Sequence, residues 1–384
     1  MRIIIAPDSY KGSQSALAVA NAMEAGVRQV FPQAHVHKVP IADGGEGTVE
    51  ALVMATGGTM IQETVTGPLG HPIKAYWGIL GDGETAVIEM AAASGLPLVP
   101  PSARDPRMTT TYGTGELIKA ALDRKLRKII IGIGGSATND GGVGVAQALG
   151  IKFLDQHGAE LSFGGGALGN LMRIDLTALD TRLKETCLMV ACDVDNPLCG
   201  EKGATAVYGP QKGATPEMVA ELDAKLQHFA EIAQAATGKA VANCPGAGAA
   251  GGLGAGLLFF TNAQLRPGVE IILETTDFDQ LVQDAQLVLT GEGRTDFQTA
   301  FGKAPVGVAK VAQKYNVPTV CISGGLGQGY EDVLQQGIAA VTSVAPGPIA
   351  LNDCMNNAAE LIETGAKRVC QLIKVGMQMA NKGQ

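Results

Sequence analysis

The sequence is poor in aromatic and charged residues, and it has no excess of positive charge. Of its 384 residues, 4% are aromatic and 17% are charged, and the formal net charge at pH 7 is −8. No block of like charges occurs along the chain. Because nucleic acids and anionic membrane surfaces are usually bound by basic faces or basic segments, the composition argues against both partners. Anionic small substrates remain possible, since a local site can be positive on an acidic protein.

Long apolar runs and paired cysteine motifs are also lacking. The apolar run at residues 1–7 is too short for a signal peptide, and the Gly/Ala-rich segment 246–260 is too short and too rich in glycine to span a bilayer. The seven cysteines are odd in number and form no CxxC motif, and the five histidines show no metal-ligand spacing. We therefore expect reduced thiols, no membrane partner and a cytoplasmic location.

Glycine, by contrast, is abundant and clustered. The chain has 52 glycines, and six of them lie in residues 132–144, between a strand-like run and a helix-like run. Such a loop can bring backbone N–H groups close to an anion at the start of the following helix. The alternative is a tight connection that only needs positive φ angles, although a turn alone requires one or two glycines.

The order of apolar runs predicts an α/β fold with two α/β domains. Strand-loop-helix units near both chain ends, with strands at 2–6, 35–39, 287–289, 319–322 and 339–344, favour a parallel sheet. The middle of the chain starts with short alternating strands at 60–66, 74–80 and 85–90, which are typical of an antiparallel meander. The prediction is one domain built from residues 1–60 and 280–384, and an inserted domain of residues 61–279 with a mixed sheet.

Several local features are predicted as well. Ser15 and Thr114 are expected to cap helices that extend to about residues 30 and 125. Residues 151–154 are expected to form a hairpin with the segment that begins at Glu160. A single closing helix is expected over residues 352–378.

Five loops each follow a predicted strand and carry at least one carboxylate, and three of them contain glycine within the ranges given next. They are residues 8–11, 43–48, 134–142, 193–198 and 291–296. In open α/β sheets, ligands bind beyond the carboxyl ends of the strands, so these loops are candidates for a shared site. Carboxylates suit Mg²⁺ and can accept the proton of an attacking hydroxyl, and Lys11 and Arg294 could neutralise charge on a transferring phosphoryl group.

Simpler explanations exist for individual residues. The Asp43-Gly44 pair is often only a turn signal, and Asp140 could cap the next helix. Asp193 and Asp195 could be a solvated pair, Lys11 a surface lysine, and Arg294 an ion-pair partner of Asp296. The functional interpretation depends on the coincidence of five such loops, not on any one residue.

Two nucleotide-binding motifs were tested against the sequence. GxxxxGK[ST] is absent, which excludes a P-loop NTPase. Residues 132–137 formally match GxGxx[GA], and Asp155 ends the next predicted strand, which keeps an NAD(P)-dependent hydroxy-acid dehydrogenase as the alternative function. That fingerprint needs the helix to begin at once, whereas residues 138–144 prolong the loop.

Taken together, the five loops resemble the signature blocks of bacterial glycerate kinases of the first type. The blocks are Ile5-Ala-Pro-Asp-Ser-Tyr-Lys-Gly-Ser13, Pro40-Ile-Ala-Asp-Gly-Gly-Glu-Gly-Thr48, Gly132-Ile-Gly-Gly-Ser-Ala-Thr-Asn-Asp-Gly-Gly142, Cys192-Asp-Val-Asp-Asn-Pro-Leu198 and Leu289-Thr-Gly-Glu-Gly-Arg-Thr-Asp296. They occur in the family's order, and the resemblance runs from residue 1 to about residue 380.

The resemblance implies transfer of the ATP γ-phosphoryl group to D-glycerate with Mg²⁺, giving ADP and most often 2-phosphoglycerate rather than 3-phosphoglycerate. It also implies a Rossmann- or flavodoxin-like discontinuous domain, an active site in the cleft between the two domains, and disposal of glycerate from glyoxylate, glucarate or galactarate breakdown. A homo-oligomer is possible. A non-catalytic sensor of nucleotides or sugar acids is the least favoured alternative.

We therefore assign hypothetical roles to the loop residues. Asp193 is the expected base or metal ligand, with Asp43 as its rival, and Lys11 is a catalytic cation. The expected substrate- or phosphate-binding residues are Asp8, Ser136, Thr138, Asn139, Asp140, Asn196 and Arg294. The expected Mg²⁺ ligands are Asp195, Glu292 and Asp296. The glycines expected to shape the loops are Gly44, Gly45, Gly134, Gly135, Gly141, Gly142, Gly291 and Gly293.

Overall fold

The structure is a computed structural model that describes residues 1–41, 44–45 and 47–382. Within these residues no helix is both long enough and apolar enough to cross a membrane.

The described residues form fifteen strands and thirteen α-helices. The strands are β1 (Arg2–Ile5), β2 (His35–Lys38), β3 (Thr59–Thr66), β4 (Pro72–Ile79), β5 (Thr85–Glu89), β6 (Lys128–Gly132), β7 (Lys152–Leu154), β8 (Arg173–Asp175), β9 (Cys187–Ala191), β10 (Gln264–Arg266), β11 (Leu287–Thr290), β12 (Arg294–Thr295), β13 (Thr319–Ser323), β14 (Gly325–Leu326) and β15 (Ala340–Ser343). The helices are α1 (Ala16–Val30), α2 (Thr48–Thr56), α3 (Ala91–Ser94), α4 (Tyr112–Asp123), α5 (Val143–Ala148), α6 (Ala204–Tyr208), α7 (Pro216–Thr237), α8 (Ala249–Phe260), α9 (Gly268–Thr275), α10 (Phe278–Gln283), α11 (Ala304–Lys314), α12 (Leu351–Asn356) and α13 (Ala358–Lys382).

The chain forms two compact units, and the first contains both chain ends, Met1–Asp43 and Val269–Gln384. Its sheet has the order β15-β13-β11-β1-β2, and all neighbouring strands are parallel. Counted along this unit, the strand order is 2-1-3-4-5, which is the flavodoxin-like arrangement. The strands are continuous apolar runs because helices cover both faces: Ile3, Ile4 and Ile5 are all fully buried.

The second unit is Gly44–Gly268, and its main sheet is mixed. The order is β10-β9-β6-β5-β4-β3. The pairs β3–β4 and β4–β5 are antiparallel, which confirms the predicted meander, whereas β5, β6, β9 and β10 run parallel. The apolar core between this sheet and its helices includes Trp77, Ile131, Leu117 and Leu253. The predicted fold class, with one parallel and one mixed sheet, is confirmed.

The boundaries between the two units lie at 43/44 and 268/269, whereas the predicted domain boundaries are 60/61 and 279/280. Helix α2 belongs to the inserted unit because Glu89 Oε1, at the end of β5, accepts a hydrogen bond from Val49 N at 2.8 Å. Helix α10, and α9 from its second residue onward, belong to the terminal unit, where Asp279 on α10 forms an ion pair with Lys314 on α11 at 3.4 Å. Sequence periodicity carries no signal for the sheet on which a helix packs.

Two local predictions differ from the structure, one holds in part, and one is confirmed. Ser15 caps α1 as predicted, accepting from Ala18 N at 3.2 Å. Helix α4 begins after Thr111, so Thr114 lies inside the helix and does not cap it. The Thr114 hydroxyl instead forms a buried 2.9 Å hydrogen bond with Ser94 Oγ. The predicted hairpin at residues 151–154 forms at its turn, where Leu161 N donates to Phe153 O at 2.8 Å and Leu154 bridges Glu160 in antiparallel sense, but the regular pairing of β7 is with β8.

The predicted closing helix is divided into α12 and α13 at Asn357. The Asn357 side chain donates to the backbone oxygen of Asp353 at 2.9 Å. An asparagine that bonds to the backbone in this way competes with continued helix hydrogen bonding, which accounts for the break.

Candidate active site

The terminal unit has its topological switch point between β1 and β11. In sheets of this strand order, the loops that leave the two strands flanking the switch point form the usual ligand crevice. Here those loops are residues 6–15, after β1, and residues 291–293, after β11. They carry the predicted residues Asp8, Lys11 and Glu292, so the topology brings three of them to one sheet edge.

The two loops are joined by backbone contacts. Asp8 N donates to Gly291 O at 2.8 Å, and Thr290 Oγ1 donates to Ala6 O at 2.7 Å. A Cβ at Gly291 would lie 1.8 Å from Ile322 O, so only glycine permits this approach to β13. The nearest atom to a Cβ at Gly293 would be Tyr10 Cα, at 3.3 Å.

Glu292 lies in a buried polar cluster. Its Oε1 accepts from Thr299 Oγ1 at 2.6 Å and from Thr295 Oγ1 at 3.2 Å, and Thr295 Oγ1 lies 2.6 Å from Ser323 Oγ. Burial raises the pKa of the Glu292 carboxyl, and the two threonine hydroxyls act against that rise. Both side-chain hydrogen bonds to the carboxyl thus come from neutral hydroxyls, while the charge of Lys303 also acts to lower its pKa.

The cations and the remaining acid of this edge are more exposed. Lys11 is exposed, and the Arg294 side chain retains 70% of its accessibility. Arg294 Nε lies 3.6 Å from Asp296 Oδ2, a long and mostly solvated pair, while Asp296 Oδ1 accepts from Gln298 N at 3.0 Å. The Arg294 side chain is therefore accessible to an anion at this edge.

In the inserted unit, the glycine-rich loop begins at the carboxyl end of β6 and packs against a second predicted loop. Gly134 N donates to Gly44 O at 3.3 Å, and a Cβ at Gly132 would lie 2.3 Å from Gly44 O. Gly45 O accepts from Thr48 Oγ1 at 2.7 Å. Two of the five predicted loops therefore touch, although Asp43, the rival base, lies outside the described residues.

Ser136 is held by a lysine that the sequence analysis did not identify. Lys212 Nζ donates to Ser136 Oγ and to Thr138 O, each at 2.7 Å. Lys212 is only 2% exposed, and its burial lowers the pKa of the ammonium group to about 7, against a smaller opposing effect of Asp140. Nothing in the local sequence, Pro210-Gln-Lys-Gly213, distinguishes this lysine from one in a surface turn.

The other polar side chains of the loop point into the protein. Thr138 and Asn139 are fully buried, and Asn139 Nδ2 donates to Thr205 Oγ1 at 2.9 Å. By contrast, Gly134 and Gly135 are exposed and Ser136 is 7% exposed. The accessible part of the predicted cradle is therefore its first three residues.

Beneath this loop, the start of α8 has a left-handed backbone. Residues 250–252 have φ angles of 54°, 69° and 88°, and Gly251 O accepts from Gly141 N at 3.0 Å. Gly141 and Gly142 are left-handed too, with φ of 65° and 74°. Among these consecutive residues with left-handed φ angles, the non-glycine Ala250 is strained, and such strained backbone often occurs at functional sites.

Asp140 has the role of a backbone acceptor. Its Oδ2 accepts from Thr111 N and Thr111 Oγ1, both at 2.8 Å, and from Gly144 N at 3.3 Å, while Oδ1 accepts from Gly142 N at 3.1 Å. These bonds tie the start of α4 to the start of α5. Burial nevertheless raises the pKa of this carboxyl, since the hydrogen bonds offset only part of the cost of charge.

The segment after β9 contains the predicted base. Asp193 and Asp195 are exposed, and Asp193 Oδ1 accepts from Gly268 N, at the start of α9, at 2.8 Å. Asn196 is committed to the fold: its Nδ2 donates to Lys202 O at 2.8 Å, and its Oδ1 accepts from Tyr208 Oη at 2.6 Å.

Neither a metal cluster nor a dinucleotide fingerprint is formed by the described parts of the chain. Among residues 1–41, 44–45 and 47–382, no three His, Cys, Asp or Glu side chains are grouped as a metal site. Helix α5 begins only at Val143, well after the end of β6. Asp155 follows β7, which lies in a separate two-stranded sheet, and its Oδ1 accepts from the turn nitrogens of His157 and Ala159. This geometry disfavours a dinucleotide-binding enzyme.

The fold and these strand-end loops define the chain as an α/β enzyme made of two units. The sequence model of the "Glycerate kinase family" matches residues 3–374. A "Glycerate kinase" of Bacillus subtilis is 55% identical over 99% of both chains. A "Glycerate 2-kinase" of Escherichia coli is 51% identical over 99% of this chain and 100% of the other. A solved structure named as glycerate kinase 2 from Salmonella typhimurium has a TM-score of 0.89 at 50% identity, and covers 98% of this chain and 99% of that one.

The chain belongs to the glycerate kinase family. The match extends over nearly the whole chain, as the loop resemblance predicted.

Proposed function

We propose that this protein transfers the γ-phosphoryl group of ATP to the 2-hydroxyl of D-glycerate, giving 2-phospho-D-glycerate and ADP. The proposal rests on family membership and on the E. coli relative named as a glycerate 2-kinase. A cytoplasmic location and a role in glycerate disposal from glyoxylate, glucarate or galactarate breakdown are part of the proposal. Its seven cysteines are free thiols, in keeping with a reducing compartment.

One structural observation supports phosphoryl transfer most directly. Lys11 lies in the switch-point loop after β1, and Arg294 directly follows the switch-point loop after β11, at the sheet edge where ligands of such folds bind. Phosphoryl transfer depends on positioning and on charge stabilisation, and cations at this edge can supply the second. We propose that Lys11 and Arg294 contact phosphate or the glycerate carboxylate. That the active site also includes loops of the inserted unit stays a prediction.

Mg²⁺ is proposed as the metal of the reaction. It commonly uses one or two carboxylates together with waters and substrate phosphates, so it does not require a preformed protein cluster. The exposed carboxylate of Asp195 and the partly buried carboxylate of Asp296 suit such a role, whereas Glu292 is buried and already accepts two hydroxyl hydrogen bonds. When bound, the ion would neutralise phosphate charge.

Asp193 is the proposed base. Its carboxylate is exposed and is held in orientation by the Gly268 N–H group, which leaves a carboxylate directed by the backbone at a strand end. In this role it would accept the proton of the attacking glycerate hydroxyl.

The experiment measures ADP formation with ATP, Mg²⁺ and D-glycerate, and compares Asp193→Asn with Asp284→Asn. Asp284 is an exposed carboxylate, 80% accessible, outside all the loops. We expect D-glycerate-dependent ADP formation, a loss of about 10²-fold or more in kcat for Asp193→Asn, and no change for Asp284→Asn.

Two outcomes would change the assignment. If Asp193→Asn kept near-normal turnover while Asp43→Asn lost it, Asp43 would be the base. If ADP release were independent of glycerate and NAD(P)H absorbance changed with glycerate instead, the kinase proposal would fail in favour of the dehydrogenase.

A further inference from the structure

Lys212 is the least explained charged residue of the inserted unit. It follows α6 in a short 3₁₀ turn, Pro210–Lys212, and its Nζ is 2.7 Å from both Ser136 Oγ and Thr138 O. It forms no ion pair with any described residue, although a buried ammonium group normally requires one. A purely structural anchor at this position would be better served by a neutral donor.

The hydrogen-bond inventory fixes the direction of the Lys212–Ser136 contact. An ammonium group has three donors and no acceptor, whereas a serine hydroxyl has one donor and two acceptor sites. Lys212 must therefore donate to Ser136, and the Ser136 hydroxyl hydrogen must point elsewhere. Among the described residues the structure contains no acceptor for that hydrogen.

Two polar atoms on the inward-pointing side chains of the same loop also lack a hydrogen-bond partner in the described ranges. Thr138 Oγ1 and Asn139 Oδ1 are buried and have no hydrogen-bond partner in the described part of the chain. Buried polar atoms without partners are rare in folded proteins and often mark a position where a ligand or water completes the bonding. On the outer side of Ser136, the chain continues into the exposed Gly134 and Gly135.

We infer that Lys212 is a positioning residue that turns the Ser136 hydroxyl outward, so that this hydroxyl donates a hydrogen bond to an anionic oxygen of a substrate. The inference deepens the proposed function and depends on it, because the anionic oxygen would belong to the glycerate carboxylate or to an ATP phosphate. Lys212 acts through Ser136 and does not itself contact the substrate. Its positive charge also strengthens Ser136 as a donor, since a hydroxyl that accepts from a cation is polarised.

The test uses Lys212→Met, Ser136→Ala, the double variant and the control Lys239→Met. Methionine keeps most of the lysine's length and removes its donors. Lys239 is a matched control because its Nζ donates to two backbone oxygens, Leu258 O at 2.9 Å and Thr261 O at 2.7 Å, and it lies outside the loops. Binding of D-glycerate alone and of ADP alone is measured by calorimetry, and KM and kcat are measured for glycerate and ATP.

We expect Lys212→Met and Ser136→Ala to weaken binding of the same ligand by about tenfold to a hundredfold, which is the size of one hydrogen bond to a charged group. Weaker glycerate binding identifies the carboxylate as the acceptor, and weaker ADP binding identifies a phosphate. KM for that substrate should rise more than kcat falls. The double variant should lose no more than the weaker-binding single variant, because both changes remove one contact.

The inference is overturned if Lys212→Met binds both ligands as Lys239→Met does, if the two single variants affect different ligands, or if their effects multiply in the double variant. Wild-type turnover in the same assay separates this failure from failure of the proposed function. If the wild type forms no ADP with glycerate, the function is wrong, whereas normal wild-type turnover with unaffected variants contradicts only the role of Lys212.

A pH comparison decides the matter if Lys212→Met does not fold. Once neutral, the amine can accept the Ser136 hydrogen, so wild-type affinity should fall as pH rises through the pKa of Lys212, about 7. The charged groups on the packed segments are Asp140, whose field acts on Lys212, and Arg104, whose backbone oxygen lies against Gly213. Ser136→Ala retains both groups but should lose this pH dependence; an identical dependence in Ser136→Ala overturns the inference.

Discussion

Gly132→Ala tests whether the contact between two strand-end loops matters for the site. Gly132 is the last residue of β6, and its φ angle is one that alanine adopts. The added Cβ would nevertheless lie 2.3 Å from Gly44 O, 2.9 Å from Gly44 C and 3.2 Å from Gly44 Cα. All three neighbours are backbone atoms, so no side-chain rotation can relieve the clash.

The size of the effect follows from this geometry. An ordinary contact needs at least about 3.4 Å, so the loop at Gly44 must move by about 1 Å. Overpacking of this kind costs about 1–3 kcal/mol. The reduced entropy of the unfolded chain returns about 0.4–1 kcal/mol, because alanine replaces glycine. We expect a net loss of about 1–2 kcal/mol, and a fall in kcat/KM of up to about 10²-fold if this loop positions a substrate.

Urea unfolding and kinase assays of Gly132→Ala give both quantities, with Gly347→Ala as control. A Cβ at Gly347 would have no neighbour within 4 Å, so the same methyl group is added in open space. If Gly132→Ala matched Gly347→Ala in unfolding free energy and in kcat/KM, the loop contact would be neither tight nor relevant to activity. A stability loss with unchanged kcat/KM would confine the contact to a structural role.

Further predictions concern buried ionisable groups. In the folded protein the pKa of Lys212 is lowered from 10.5 to about 7. Between these two pH values Lys212 binds fewer protons in the folded than in the unfolded state, so the free energy of unfolding of the wild type should rise with pH. Lys212→Met should lack this rise when urea unfolding is measured at several pH values. The pKa of Glu292 is raised in the folded protein, so its contribution to stability is present at low pH and is lost as pH rises through that pKa. Glu292→Gln keeps an acceptor for both threonines, and its free energy of unfolding should fall less with rising pH than that of the wild type. Asp140→Ala leaves three buried backbone N–H groups without their acceptor and should cost about 3 kcal/mol or more in urea unfolding. Thr111→Val removes one hydroxyl donor to Asp140 and the acceptor of one buried N–H, that of Val145, and should cost less, about 2 kcal/mol.

The fold was predictable where local pattern and long-range packing agree. The apolar runs at Arg2–Ile5 and Leu287–Thr290 are too continuous for anything but strands buried on both faces, and they form the centre of the parallel sheet. Ser15 capped its helix because capping is a local interaction that sequence records directly.

Tertiary contacts decided the features that sequence did not reveal. Thr114 has the chemistry of a cap, but its partner is Ser94, twenty residues away. The Glu89–Val49 bond that places α2 in the inserted unit joins residues forty positions apart. Such long-range pairs leave no periodicity in the chain.

In the candidate site, too, local features could be predicted from the sequence and tertiary contacts could not. The glycine loops were identified because close backbone approach requires glycine, as the contacts of Gly132 and Gly291 demonstrate. Lys212 was missed because a lysine between proline and glycine is ordinarily solvated, and only the fold buries it beside Ser136. Burial of Thr138 and Asn139 was likewise invisible in a polar loop sequence.

The central claim is phosphorylation of glycerate at its second carbon. It is tested most directly by incubating the protein with ATP, Mg²⁺ and D-glycerate and assigning the phosphorylated carbon by NMR from its coupling to phosphorus. Phosphorylation of the 2-hydroxyl predicts coupling of phosphorus to the single proton on the second carbon, with one ADP formed per product. Coupling to the two protons on the third carbon would contradict the proposed product, and the absence of any phosphorylated glycerate would contradict the proposed function.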